Sequence, residues 1–333
     1  SSPYFGKLLP LRKIRIFADY DDGGGTDRYY LFSGYITSFD NTFKLGLDEV
    51  STVTFQCVDA FRLLQNIQIT TVAGSSAGQT TGARIENLLD LASFPISQRQ
   101  IDVGDTLVQS DPATSRTLLA ACQNIEQTEL GGFFIDDEGN AVFLSRTTVS
   151  QKADETPLLF NDNGTNISYQ SIDFAYDDTQ IFNDITITRE GGVAQNVQST
   201  SSIETFFIHS GSRSGLLMQT DAEALDQAEM LLNARENALL RIESIGLNLM
   251  DSASSNRIVA GLESDLFTLI NVTKTGQAGS SFDLELFVQG IQHDITPTVF
   301  TTRLLTAEPI IQGFILDSAI QGLLDGTVGV LSY

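Results

Sequence analysis

The sequence predicts a mainly β protein in which a smaller α+β module lies between two β units. Three observations carry that prediction. Thr, Ser, Gly, Asn, Phe and Tyr are plentiful, whereas charged residues make up only 18% of the 333 residues and Trp is absent, a balance that suits strands and turns better than helical repeats. Apolar and polar residues alternate, as at Val53, Phe55 and Cys57, with the period of a half-buried strand. Nearly the same strand is also written twice, as "LFSGYITSFD" (Leu31–Asp40) and "LFVQGIQHDI" (Leu286–Ile295). Each copy runs an apolar or aromatic pair containing Phe32 or Phe287 into Gly34 or Gly290, follows with an apolar residue, and soon reaches an aspartate. Glycine inside a strand permits sharp coiling or close backbone approach, so these four residues are structural candidates for two small β-barrel-like domains related by duplication.

The elements follow in order. "IRIFADY", the turn cluster "DDGGGTD" and "RYYLFSGYITSFD" read as a hairpin. Asp19, Asp21, Asp22 and Asp27 have the residue type of a calcium loop but lack EF-hand spacing and its terminal Glu, which leaves a solvated hairpin tip. "FKLGLD" and "STVTFQCVDAFRLLQNIQI" continue a β unit of four or more strands to about Ile69, with Asp59 a further structural candidate. "TTVAGSSAGQTTG" reads as a linker or exposed loop. Helices are expected in "ARIENLLDLASFP", where Ile85, Leu88, Leu89 and Ala92 share a face, and in "DPATSRTLLAACQNIEQTELGG", capped by Ser/Thr in front and paired glycines behind. "GFFIDDEGNAVFLSR" is a hairpin.

Strands then resume with "NISYQSIDFAYDD", "IFNDITITRE" and "IETFFIHS", before one helix from about Asp221 that carries Leu225, Ala228, Leu232, Arg235 and Leu239. "RIESIGLNLM", "DLFTLINVTKTG", "FDLELFVQGIQHDIT" and "VFTTRLLTAEP" are strands again. The expected domains are a first β-barrel over 1–75, the α+β module over 76–160, a second β-barrel with an inserted helix over 161–308, and an apolar extension over 309–333. That extension is too apolar for a solvated tail, so Phe314, Ile315, Leu316, Leu323, Leu324 and Val328 are candidates for contact with a neighbouring chain.

Charge and residue supply exclude several functions. With 19 basic against 42 acidic residues the net charge is −23, which repels nucleic-acid phosphate and anionic membranes. No apolar run approaches the roughly 20 residues of a membrane span, so no membrane insertion is expected. Cys57 and Cys122 lack nearby Cys or His and read as free thiols. Two scattered histidines, His209 and His293, supply almost no material for a triad or a multi-His metal centre. Gly23–Gly25 lacks the Lys-Ser/Thr of a phosphate loop. Glu126 and Glu129 share a helix face, but no nucleophile or metal ligand stands near them. The expectation is a non-enzyme with no catalytic residue, cofactor or metal.

The order of "SPYFGKLLPLRKIRIFA", "YLFSGYITSFD", "VTFQCVDAFRLL", "RIENLLDLASFP", "TLLAACQNIEQTELGGFFIDDEGNAVFLSR" and "FVQGIQHDIT" resembles a siphophage minor tail protein of the tail hub type, similar to the central hub of contractile-phage baseplates. The resemblance spans most of the chain and implies two small β-barrels around a mixed α+β module, with three chains closing a ring. Three chains with two alike barrels each would offer six quasi-equivalent positions to a sixfold tail tube, converting sixfold to threefold symmetry at the tail tip of a virion assembled in the host cytoplasm. The implied partners are further copies of the chain, a distal tail or tail tube ring, the tape measure protein, and other tip proteins or fibres, with DNA passing through a repelling acidic channel without specific binding. A distal tail protein, which forms a hexameric ring, and a tail-associated carbohydrate-binding or lytic module are the alternatives.

Overall fold

A computed structural model describes residues 9–42, 44, 52–238, 240–250, 254–276 and 281–309 of the chain. Chain order begins with β1 (Lys13–Asp21) and β2 (Thr26–Thr42), which pair antiparallel across the glycine-rich turn. Asp21 and Asp22 accept hydrogen bonds from the Gly23 and Gly24 amides at 2.8 and 2.9 Å, so these carboxylates close the turn. β3 (Thr52–Val58) adds to the other side of β2, giving an open three-stranded sheet in the order β1-β2-β3. The segment "FKLGLD" falls almost wholly outside the described residues.

The strand expected to run on towards Ile69 stops at Val58. Asp59 turns the chain by accepting from the Phe61 amide at 3.0 Å, and the helix-forming "FRLLQN" becomes α1 (Phe61–Asn66) with Leu64 fully buried. Nor does this first sheet enclose a core of its own. Ala18, Tyr20, Tyr29 and Leu31 pack on the core of the large second sheet, and Tyr35 packs on the core of the middle module. Ile16, Phe17, Val53 and Phe55 remain exposed.

The middle module comprises β4 (Gln68–Ile69), β5 (Gln79–Thr80), α2 (Thr81–Leu91), β6 (Arg99–Ile101), β7 (Leu107–Val108), β8 (Arg116–Thr117), α3 (Leu118–Glu129), β9 (Gly132–Ile135), β10 (Ala141–Leu144) and α4 (Arg146–Lys152). Thr80 and Thr117 cap α2 and α3 by accepting from the Ala83 and Ala120 amides. The helices meet through Ile85, Leu88, Leu89, Leu118, Cys122 and Ile125, joined by Phe133 and Phe143 from the β9–β10 hairpin. The expected linker is a fastened loop: Val72 is buried, and the Arg84 guanidinium donates to the Ser76 and Gln109 carbonyls. The paired glycines after α3 do not cap it, because Leu130 takes the left-handed conformation at φ 56°. Gly131 and Gly132 instead permit close approach, since a Cβ would collide with the Leu144 carbonyl oxygen at the first and lie 2.6 Å from the Phe267 ring at the second.

The remainder comprises β11 (Leu158–Asn161), β12 (Ile167–Ser168), β13 (Ser171–Ala175), β14 (Asp184–Arg189), β15 (Gln195–Gln198), α5 (Thr200–Phe206), β16 (Ser210–Leu216), α6 (Asp221–Arg235), β17 (Arg241–Asn248), α7 (Ser255–Glu263), β18 (Leu269–Lys274), β19 (Phe282–Thr296) and β20 (Val299–Ala307). Seven strands form one sheet in the order β12-β11-β18-β19-β20-β17-β13, and three form another in the order β15-β14-β16. The expected inserted helix is α6, whose N-terminus is closed by a reciprocal Thr220–Glu223 capping box. Its Ala224, Ala228, Leu231 and Leu232 pack on Ile185, Ile187 and Leu216 of the three-stranded sheet and on Met218 just beyond it. "IETFFIHS", expected as a strand, has its first half in α5, which Ser199 caps by accepting from the Ser202 amide. The sequence pattern gives no sign of α7, which packs Ala260 and Leu262 into the seven-stranded core.

The described strands therefore leave open sheet edges at β1, β3, β12 and β13. The chain is mainly β with helices. Gly34 lies in the central strand of the first sheet and Gly290 in β19, and each strand shifts register close to its glycine, at Ile36/Ser38 on β3 and at Val288/Gly290 on β20. Their surroundings differ. A Cβ at Gly34 would collide with the Val58 carbonyl oxygen and lie 2.5 Å from the Phe32 ring, whereas one at Gly290 would stand 3.0 Å from a Leu305 methyl. Gly34→Ala is expected to lower stability by about 1–3 kcal/mol and Gly290→Ala by less than about 1 kcal/mol, measured by denaturant unfolding. Equal losses would show that the two glycines meet the same constraint.

Candidate functional site

Three features outside the plain core could carry function: a buried carboxylate network, the outer face of the first sheet, and a cleft beside α6. The network centres on Glu129, at the end of α3, which is fully buried. Its oxygens accept from Thr81 Oγ1 at 2.7 Å, and from the amides of Asp105 at 2.9 Å, Thr106 at 3.0 Å and Arg146 at 3.3 Å. Asp102 and Asp105 extend the pattern by accepting from the Ser145 and Thr147 amides at 2.8 and 2.9 Å. A carboxylate with its lone pairs filled by four fixed donors ties α2, α3, α4 and the 102–106 loop together. Glu126, one turn earlier, accepts from the Phe133 amide at 3.0 Å. Burial pushes its carboxyl up, against the opposing pull of that amide and of Arg213. The two glutamates thus belong to different surroundings. Glu129→Ala strands several buried donors at once and is expected to lower stability by at least about 3 kcal/mol in denaturant unfolding. A loss below about 1 kcal/mol would mean the loop does not depend on it.

On the first sheet, Arg28 grips Asp19 at 2.8 and 3.0 Å and lies 3.8 Å over the Phe17 ring. Their hydrogen bond holds the Asp19 carboxyl below the usual range and raises the Arg28 guanidinium. Both groups are exposed, so the pair orients Phe17 more than it stabilises the fold. Arg15 stands 5.3 Å from the Tyr30 ring centre and donates to the Glu138 carbonyl at 3.3 Å, linking this sheet to the β9–β10 turn. That turn is acidic. Burial, with the charges of Asp265, Asp136 and Glu138, pushes the Asp137 carboxyl up to about 6. An acid whose folded-state pKa lies above its unfolded value opposes folding once both states ionise, so stability falls as pH rises from about 4 through 6. Asp137→Asn should therefore raise the melting temperature at about pH 7.5 and leave it unchanged at about pH 4; an equal shift at both would contradict this.

The third feature is a cleft of about 440 Å³ beside β14, β16 and α6, whose walls include Phe182, Ile185 and Ile187. Past Arg213, Leu231 and Arg235 it meets a second hollow of about 420 Å³ lined by Glu126, Phe267, Phe287 and Pro309. Burial lowers the guanidinium pKa of both arginines. Arg235 donates to Gln180 Oε1, and neither arginine has an ion pair among the described residues.

The residues singled out from sequence do not converge on one site. Gly34 and Phe32 touch each other in β2, Asp59 turns the chain into α1, and Gly290 lies in β19. Burial raises the Asp59 carboxyl. Phe287 is buried in a small cluster with Val149, Ala153 and Leu269 and lines the cleft's second hollow. Phe314, Ile315, Leu316, Leu323, Leu324 and Val328 lie outside the described residues. Cys57 and Cys122 are free thiols, and burial pushes the latter well up. Burial lowers the His293 imidazole, whose Nδ1 lies 2.8 Å from Thr302 Oγ1. Among the described residues no helix is long and apolar enough to cross a membrane. Sequence reasoning missed the cleft residues Phe182 and Arg213 and read Arg235 only as part of a helix stripe, because nothing in a linear pattern shows that β14, β16 and α6 bring these side chains to one cleft.

No protein-family model matches the sequence, and no curated protein matches it. Solved structures do. The tail protein from Neisseria meningitidis MC58 superposes with a TM-score of 0.59 at 14% identity, covering 90% of this chain and 89% of that one. The 43 kDa tail protein of prophage MuSo2 from Shewanella oneidensis superposes with a TM-score of 0.55 at 14% identity, covering 90% of each. At such identity the likeness is one of fold, and this chain shares the fold of these two tail proteins over nine tenths of its length.

Proposed function

We propose that the chain is a structural protein of a phage tail, the hub at the tail tip, in which three copies form a ring around the DNA ejection channel. The observation that carries this reading is the likeness of fold to two tail proteins, one of them from a prophage, over nine tenths of the chain. The adaptor role draws support from the two long central strands, each with a glycine beside a register shift, which would place the β units of 1–75 and 161–308 in quasi-equivalent positions against a sixfold tube. Open sheet edges at β1 and β3, with Phe17, Val53 and Phe55 exposed on this sheet, supply ring-closing surface of the kind that isolated soluble sheets avoid. The net charge of −23 suits a channel that repels DNA while the genome passes. A distal tail or tail tube ring, the tape measure protein and other tip proteins are the partners of such a hub. No step of this role calls for catalysis.

Mass measurement of the assembled ring tests the reading. A threefold multiple of the 36.2 kDa chain is expected, and a sixfold multiple would instead identify a distal-tail type of ring. Phe55→Asp, at a side chain already 48% exposed, should leave the fold intact by circular dichroism yet weaken assembly at least about tenfold, the effect of losing one buried aromatic contact. Unchanged assembly would remove this sheet from the interface.

A further inference from the structure

We propose that a hollow between the middle module and the β15-β14-β16 sheet binds free hydrogen phosphate, an oxyanion that retains a proton, and that the ion fastens these two parts to each other. The hollow has a volume of about 180 Å³, and its walls come from α2, the 111–116 stretch, α3 and the ends of β14 and β16. At the roughly 30 Å³ that one water occupies in the liquid, it has room for the four oxygens of a tetrahedral ion.

Arg84 sets its charge. This side chain lines the hollow and is 1% exposed. Its Nε donates to Gln79 Oε1 at 2.9 Å and its Nη2 to the Ser76 and Gln109 carbonyls at 3.1 and 2.9 Å, whereas Nη1 is buried without an acceptor among the described residues. The carboxylate that faces Arg84, Asp111, is committed elsewhere: one oxygen accepts from Arg116 Nη2 and the other from the Ala113 amide at 2.9 Å. Two guanidiniums therefore share one carboxylate. Burial lowers the Arg84 pKa, with Asp111 opposing that shift and Arg116 adding to it. A buried cation with an unfilled donor is costly, and guanidinium N–H groups match the oxygens of a tetrahedral anion.

Asn124 decides which anion fits. Its Oδ1 is buried without a donor, and the side chain belongs to the same wall. The amide cannot turn over, because Nδ2 donates to the Gly215 carbonyl at 2.9 Å. Gly215, at φ 73°, is the residue skipped where Thr188 pairs with Ser214 and Arg189 with Leu216, and this bulge leaves its carbonyl to Asn124. The ion must accept from Arg84 and donate to Asn124. At neutral pH hydrogen phosphate does both, whereas sulfate keeps no proton and leaves the Asn124 oxygen unsatisfied. Glu190, exposed beside the hollow, adds a negative charge that likewise favours an ion retaining a proton. Two of the bonds that cross this seam run from Asn124 to Gly215 and from Gln109 Nε2 to the Glu190 carbonyl at 3.0 Å, and an ion held by Arg84 and Asn124 reinforces them.

Calorimetric titration of the full-length chain at pH 7 with inorganic phosphate, and with sulfate at matched ionic strength, tests the site. One phosphate per chain is expected, with sulfate at least about tenfold weaker, the effect of one buried acceptor left without a donor. Arg84→Lys, which keeps the charge and removes Nη1, should weaken phosphate binding at least about tenfold with circular dichroism unchanged. Arg84 also fastens the loop ahead of α2, so a second readout uses the unaltered chain: phosphate at about ten times its dissociation constant should slow amide exchange in 109–117 and 215–217 by about tenfold relative to sulfate. No saturable phosphate binding, sulfate bound equally well, or unchanged exchange in these segments would overturn the proposal, as would full binding by a folded Arg84→Lys chain. Neither readout depends on the tail-hub reading.

Discussion

One buried carboxylate fixes the centre of the molecule. Glu129 closes the last turn of α3 and draws in four donors from three other segments, the start of α2, the 102–106 loop and the start of α4. The loop must pass so close to α2 that a Cβ at Gly82 would collide with the Asp102 carbonyl, and one at Gly104 with the Thr81 hydroxyl. Backbone amides turned inward at that spot have no water to bond, and the Glu129 oxygens are what satisfy them. The packing of α2 on α3 follows from this, since Leu88, Leu89, Cys122 and Ile125 meet only when the helix ends are held in register.

From that centre the two β regions are placed by what they share with their neighbours. The first sheet buries the side chains near its hairpin tip against the second, with Tyr20 Oη donating to Ser255 Oγ at 3.2 Å, and rests its other end on the middle module through Tyr35. Phe267 and Phe287, with ring centres 6.1 Å apart, connect the seven-stranded sheet to α4 through Val149 and Ala153. A sheet that borrows its core keeps one surface uncovered.

Local patterns are legible in the sequence where the signal and its cause are both local. Thr80, Thr117 and Thr220 cap helices because a side-chain oxygen reaches an amide three residues on, whatever the rest of the chain does. The "DDGGGTD" turn closes with aspartate-to-amide bonds for the same reason. Legibility fails at "DAFRLLQN" and "IETFFIHS", short apolar runs in which helix and strand patterns are indistinguishable until burial chooses between them: Leu64 is buried and Phe207 is left in solvent. It fails again at 70–82, read as a linker, because Arg84, on the helix that follows, folds back to the Ser76 carbonyl and fastens that loop.

By itself, then, the sequence determined the strand-rich character, the order of a β region, a helical module and a longer β region, the capped helices, the hairpin tips and the strongly negative charge, since each depends on composition or on residues a few positions apart. Tertiary structure alone decided that the first sheet shares its neighbours' cores, that Glu129 is a tie and Glu126 a cleft residue although one helix turn separates them, and that Arg213 and Arg235 meet beside Phe182. Those outcomes depend on which buried donors, charges and apolar faces come together across long chain separations, and a polar group's fate on burial is set by the partner it finds there.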